Sequence, residues 1–279
     1  MTQLWDWFNN AVIQRLRYRL RRYRRPAGPG RELAAAALTP VEMRVDADGA
    51  GRPGGDLYRS WQQIPGGHKW WHYFQTYERV MVDLRKRPIR FLEVGVYRGG
   101  SLAMWRQYLH PDSVIVGLDI DPECARFDAP ASQTHVRIGD QSDTVFLGRV
   151  FAEFGPFDVI IDDGSHVCSH MIKTFGFAFL NGLGERGIYM AEDTHANFWP
   201  EYRDQNYSFV DLCKDLVDLS HEHYLPHRGP LPYQFGRRGR VTSVQLPRIG
   251  AEIESISFFD SIIVIQRDAN RRLPTSEHL

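Results

Sequence analysis

From Ile89 to His195 the chain alternates short apolar runs with longer stretches in which apolar residues recur every three or four positions. The runs are IRFLEVGV, SVIVGLDID, THVRIGDQSD, FDVIIDDGSHV and GIYMAEDTH, and each breaks off in glycine or acidic residues. A near-continuous apolar run of this length is how a parallel strand buried on both faces reads, and helical segments between such runs predict βαβ units. The intervening helices are expected over YRGGSLAMWRQYL, after Asp143, and from about Ser169 to Leu180. Upstream, IPGGHKWWHYFQTYERVMVDLRKRP carries the same periodicity through Val82 and stops at Pro88, so a helix leads into the first strand. His68, Trp70, Trp71, His72, Tyr73 and Tyr77 crowd its start, and both a core stripe and the roof of a ligand pocket fit that spacing.

The N-terminal stretch has a different pattern. Trp5, Phe8, Val12, Leu16 and Leu20 fall on one helical face among Arg15, Arg17, Arg19, Arg21, Arg22, Arg24 and Arg25, and Pro26 ends the pattern. That predicts a cationic amphipathic helix, which suits packing on the domain or a second subunit, and also suits contact with an anionic membrane. Charge follows the apolar residues and the apolar positions are spaced, so no signal peptide is expected. The segment from Pro26 to Gly55 is Gly-, Pro- and Ala-rich and reads as linker. Residues 1–56 are thus expected to form the helix and linker, and residues 57–279 the compact domain.

Composition narrows this picture. Lysine plus arginine equal aspartate plus glutamate at 34 each, which gives no pull toward nucleic acid. No run of eighteen apolar residues predicts a membrane span. Cys124, Cys168 and Cys213 are widely spaced and odd in number, which favours a reduced, cytoplasmic setting over disulfides or zinc.

The chemistry sits at the strand ends, because open parallel sheets bind ligands at their carboxyl edge. Gly95, Gly99 and Gly100 permit a tight turn close to a ligand after the first strand. Asp119, with Asp121 as the alternate, ends the second strand where an acid can accept the hydrogen bonds of a ribose diol. Asp140 can receive an adenine amine, and Gln141 to Asp143 can cap the next helix. Asp163, Glu192 and Asp193 converge from two successive strands and would repel one another unless a hard cation such as Mg²⁺ neutralised them. His166, three residues beyond Asp163, suits a general base, with His195 next in line.

The run ExGxxxGGS at Glu93 to Ser101, together with GLDID, IDDGSH, EDTH and HKWWHYFQTYER, resembles the class I S-adenosylmethionine-dependent sugar O-methyltransferases of the macrocin and mycinamicin type and their cephalosporin-hydroxylase-like relatives. The resemblance runs roughly from His68 to Tyr202. It implies a Rossmann-like α/β fold: a seven-stranded, mostly parallel sheet, helices on both faces, and a C-terminal β-hairpin built from RVTSVQLP and SFFDSIIVIQR with a reversed final strand. It implies S-adenosylmethionine held by Glu93, Gly95, Gly99, Ser101, Asp119, Asp140, Gln141 and Asp162. It also implies Mg²⁺ on Asp163, Glu192 and Asp193, with His166 as the base.

His72, His195, Trp199 and Tyr202 are candidate acceptor contacts, since aromatic faces among hydrogen-bonding groups suit carbohydrate. The acceptor expected is a hexose or deoxyhexose hydroxyl in an oligosaccharide, glycolipid or glycosylated natural product. A mannose-type unit, as in mycobacterial methylmannose polysaccharide, is the analogy followed furthest, and a homo-oligomer is expected. Arg237, Arg238 and Arg240 form either a solvated basic run or an anion contact. Two other classes compete: a nonheme iron hydroxylase, which would want two histidines and one carboxylate, and a non-catalytic binding module.

Overall fold

The computed structural model describes residues 41–43, 49, 51–65, 67–224 and 243–273. The predicted N-terminal helix and the basic run 237–240 lie outside these residues. Chain contacts divide into two units, Met1–Ala50 and Gly51–Leu279; the second is described below. No helix among the described residues is long and apolar enough to cross a membrane.

Seven strands form one sheet in the order β3-β2-β1-β4-β5-β7-β6. They are β1 (Arg90–Val94), β2 (Val114–Asp119), β3 (Thr134–Ile138), β4 (Phe157–Asp162), β5 (Leu183–Ala191), β6 (Ile253–Phe258) and β7 (Ile263–Arg267). The first five are parallel, while β7 runs antiparallel to β5 and to β6. The hairpin and its reversed strand are therefore present, but its composition differs from the sequence reading. Both strands fall within 253–267, and residues 243–247 of RVTSVQLP carry no strand. The alternation in RVTSVQLP is interrupted by Pro247, which heads a short helix, α7 (Arg248–Glu252), rather than extending a ladder.

The other helices are α1 (Asp56–Trp61), α2 (Trp71–Met81), α3 (Gly100–Tyr108), α4 (Thr144–Phe154), α5 (Cys168–Asn181) and α6 (Phe209–Ser220). Asp143 caps α4 as expected, accepting from the amides of Val145 (2.8 Å) and Phe146 (3.3 Å). Helices α1 to α3 cover one face of the sheet, where Leu57, Tyr73, Tyr77 and Trp105 pack on Phe91, Ile115, Ile161 and Met190. The opposite face is covered by α5 and α6, with Phe175 and Phe209 meeting Tyr189 at ring separations of 5.1 and 6.4 Å.

Strand order reverses direction at β1, between β2 on one side and β4 on the other. This is the topological switch point, where the connections diverge and a crevice opens at the strands' carboxyl ends. Register then sorts the side chains. Glu93 pairs with Ile161 and Ile161 with Met190. The ladder continues one residue further, through Asp163 N to Val94 O (2.9 Å) and Glu192 N to Asp162 O (2.9 Å). With a side-chain period of two, Glu93, Asp163 and Glu192 share the α2 face, while Asp162 points to the α5 face.

Candidate active site

On the α2 face, one buried cation meets three strand ends. The side chain of Lys69, 5% exposed, lies in the turn before α2. Its Nζ donates to Asp163 Oδ2 and to Glu192 Oε2 (2.6 Å), and lies 4.0 Å from Glu93 Oε1. Glu93 also accepts from Ser101 Oγ (2.8 Å) and Trp105 Nε1 (3.3 Å), and burial pushes its carboxyl up to about 7. Burial likewise raises Glu192, reinforced by Asp163 and opposed by Lys69. Lys69 stays protonated: burial works against its charge, but Asp163 and Glu192 outweigh it and raise its pKa. Glu192 Oε1 is buried with no hydrogen-bond partner.

At the mouth, Asp163, His166 and Asp193 place one ligand atom each within 4.8 Å of the others. His166 Nε2 stands 3.7 Å from Asp193 Oδ2 and 4.0 Å from Asp163 Oδ1, while its Nδ1 is buried without a partner. Both His166 (φ 57°) and Asp193 (φ 49°) adopt the left-handed conformation, which costs a non-glycine residue roughly 1–3 kcal/mol. The donor set fits a divalent cation. Two carboxylates and an imidazole form an oxygen-rich set lacking any thiolate, and Glu192 Oε1 is buried without a hydrogen bond, although the Tyr77 hydroxyl acts on the same carboxyl.

Asp193 is fixed by α2. The Tyr73 hydroxyl donates to Asp193 Oδ1, and the Asp193 amide donates to the Tyr73 hydroxyl oxygen (3.3 Å). Burial and Asp193 together raise the Tyr73 pKa far above normal, so the phenol remains a donor. The β6–β7 turn buttresses the same loop. Thr194 N donates to Ser261 O (3.1 Å), His195 Nδ1 lies 3.0 Å from Ser261 Oγ, and His72 Nε2 lies 3.1 Å from Asp260 O.

On the nucleotide-like side, Asp119 Oδ2 accepts from the amides of Val96 (2.8 Å) and Tyr97 (2.9 Å), and Oδ1 from Asp121 N (2.9 Å). Burial would raise this carboxyl, but the three amides outweigh it and lower its pKa. Gly95 has φ +96°, and a Cβ there would meet the Asp163 carbonyl oxygen at 2.1 Å. The turn after β1 is thus packed against the backbone of the loop that follows β4. Gly99 (φ +73°) similarly faces the Phe127 ring. Asp140 accepts from Ser142 N (2.7 Å) in a local turn.

Gln141 and Asp162 are bound to each other (3.0 Å) on the α5 face. Gln141 also donates to Thr174 Oγ1 (3.1 Å) and accepts from Ser165 N (2.7 Å), and Tyr189 donates to Asp162 Oδ2 (2.8 Å). Burial leaves Asp162 with a raised pKa despite these donors.

Aromatic rings rim the mouth. His195 sits 4.7 Å from Trp199 and 6.1 Å from Trp70, Trp199 lies 6.1 Å from Tyr202, and Tyr202 is 6.2 Å from His166. The candidate residues thus gather at the carboxyl edge, with His72 held at its rim by the hairpin. Tyr73 was legible only as one of the aromatic cluster before the first strand, and Lys69 and Ser261 were missed. For Lys69 a signal existed, since a lysine among histidines is out of place in a core stripe. Ser261 carried none.

A parallel 3-2-1-4-5 sheet completed by an antiparallel hairpin, with a glycine turn after β1 and an acid ending β2, is the Rossmann-like fold of the class I methyltransferases. No family model matches the chain. The chain is similar to the 8-demethyl-8-(2-methoxy-alpha-L-rhamnosyl)-tetracenomycin-C 3'-O-methyltransferase of Streptomyces olivaceus, 37% identical over 55% of this chain and 42% of that one. It is also similar to the mycinamicin VI 2''-O-methyltransferase of Micromonospora griseorubida, 33% identical over 56% of this chain and 41% of that one. Each match spans less than half the length of the relative. Among solved structures, the MycE methyltransferase from the mycinamycin biosynthetic pathway, in complex with Mg and SAH, superposes with a TM-score of 0.62 at 26% identity, covering 76% of this chain and 54% of that one. MycE has also been solved with mycinamycin VI bound.

Proposed function

We propose that this chain transfers the methyl group of S-adenosylmethionine to a hydroxyl of a sugar, in a reaction that depends on a divalent metal. The observation that carries the reading is the contact of Gly95 with the Asp163 carbonyl. It joins the turn that would hold the cofactor to the loop that bears Asp163 and His166, so donor and acceptor sites share one wall. The tetracenomycin and mycinamicin relatives, named as O-methyltransferases, and the methyltransferase MycE, solved with Mg, SAH and mycinamycin VI, support the same reading.

Asp119 is proposed to bind the ribose. A carboxylate has about four acceptor sites, and three are taken by loop amides, so it has room for one hydroxyl rather than both. Tyr97 and Ile120 flank it as exposed apolar surfaces that a nucleoside would cover. Glu93 and Ser101 brace the turn from below, while Gln141 and Asp162 lock the β4 loop to the end of β3, so these four support the cofactor site through the backbone.

Asp163, Glu192 and Asp193 are proposed to hold Mg²⁺. When bound, the ion supplies positive charge that acidifies an acceptor hydroxyl and orients it toward the methyl donor. His166 Nε2, at the mouth, takes the hydroxyl proton as the S–CH₃ bond breaks and the O–CH₃ bond forms. The aromatic rim of Trp70, His195, Trp199 and Tyr202 suits a sugar face. One histidine with two carboxylates in the cluster weighs against the iron hydroxylase reading. A mannose-type acceptor, homo-oligomerisation and contact of the N-terminal helix with anionic membrane are carried forward as proposals from the sequence. A cytoplasmic setting is proposed from three cysteines that are all free and buried.

His166 has a second reading, as a metal ligand, because it belongs to the converging trio. One variant separates the two. For His166→Ala we expect kcat to fall about a hundredfold or more with Mn²⁺ affinity kept. Loss of metal affinity in step with kcat would assign the imidazole to the metal instead.

A further inference from the structure

Among the described residues Lys69 is the one cation enclosed by the strand ends, and its placement is asymmetric. It binds a single oxygen of each of two acids: Oδ2 of Asp163 and Oε2 of Glu192. The other oxygen of each is left toward different surroundings. Asp163 Oδ1 faces His166, and Glu192 Oε1 is buried without a hydrogen-bond partner. The lysine is held rigidly for this task. Its side chain is 5% exposed, Nζ lies 5.9 Å from the Tyr77 ring centroid, and Glu93 closes the third side at 4.0 Å.

We propose that Lys69 is a positioning residue that sets how the acids meet the metal. By occupying one oxygen of Asp163 and one of Glu192, it restricts each to monodentate ligation and places a fixed positive charge beside the divalent ion. Both effects moderate metal affinity, and the first keeps coordination positions open for acceptor oxygens, which Mg²⁺ requires in a site where it serves a substrate. A purely structural lysine would act differently. Its loss would loosen the acids and weaken metal binding, whereas loss of a like charge beside the ion strengthens it. The sign of the change in metal affinity therefore separates the two.

This inference rests on the metal-dependent reading above, and the test keeps the two apart. Mn²⁺ binding to the full chain is measured by isothermal titration and by electron paramagnetic resonance of the free ion, for wild type, Lys69→Met and Lys69→Arg. The expected result is binding at least about tenfold tighter in Lys69→Met, the equivalent of about 1.4 kcal/mol, with Lys69→Arg closer to wild type. Metal-free Lys69→Met should melt below wild type and regain more of its melting temperature on adding Mn²⁺. If Lys69→Met does not fold, Lys69→Gln, which keeps a donor without the charge, carries the same comparison. Unchanged or weaker binding in the folded neutral variant, with wild type binding normally, would overturn the role of Lys69 alone. Wild type that binds no Mn²⁺ would overturn the metal-dependent reading and this inference with it.

Discussion

At the scale of single residues, the site is a set of acids kept apart by what each one touches. Asp162 and Asp163 are neighbours in sequence, yet the pleat sends one to Tyr189 and Gln141 and the other to Lys69 and His166. Replacing Asp163 or Asp193 by Asn is expected to abolish metal-dependent turnover while SAH binding stays within about threefold of wild type. Calorimetric titration with SAH checks this, and a parallel loss of SAH affinity would show that the two halves of the site are not separable. Glu93 makes a different prediction. Its folded pKa is raised to about 7 from an ordinary 4.5, so the native state binds the extra proton between those values. Stability from this group is full below about pH 4.5 and is lost as pH rises through 7, by up to about 3 kcal/mol. Glu93→Gln, which mimics the protonated form, should therefore gain melting temperature relative to metal-free wild type between pH 5 and 8; a constant difference across that range would contradict the assignment.

At the scale of elements, the strand ends were the most legible part of the chain. Apolar runs broken off by acids located β1 to β5 and the acids Asp119, Asp163, Glu192 and Asp193, because burial on both faces and the carboxyl-edge rule act through local composition. Helix α2 was legible as a helix but not as a wall of the site, since periodicity says which face is apolar and not what that face meets. Tyr73 belongs to the core and also holds Asp193, which is why its stripe suited both readings. The hairpin was misplaced because the alternation in RVTSVQLP resembled a strand, and the service of Ser261 to the site comes from pairing distant in sequence. The glycine turn gives the sharpest test at this level. Gly95→Ala would set a Cβ at 2.1 Å from a backbone carbonyl at φ +96°, where side chains are strained whatever the space. We expect loss of SAH binding together with a fall in melting temperature, and wild-type affinity in a stably folded Gly95→Ala would show that the turn does not fix the Asp163 loop.

At the scale of the whole molecule, one sheet brings a nucleotide-type crevice and an acid cluster to the two sides of its switch point, and two appendages complete the second side. The segment holding Lys69 and Tyr73 arrives from before β1, and the β6–β7 turn arrives from the far end of the described chain, so the cluster depends on the folded domain rather than on any local motif. The relatives extend well beyond the matched stretch. Which acceptor the proposed transfer takes therefore depends on surfaces that the sheet does not determine. The central claim is metal-dependent methyl transfer to a sugar. Its most direct test is transfer of label from methyl-labelled S-adenosylmethionine to a panel of mono- and oligosaccharides and glycosylated macrolides, with Mg²⁺ and with EDTA. Labelled sugar is expected with Mg²⁺ and background with EDTA, restored by added metal; equal labelling in EDTA, or none of the panel labelled by a chain that binds both SAH and metal, would contradict metal-dependent transfer.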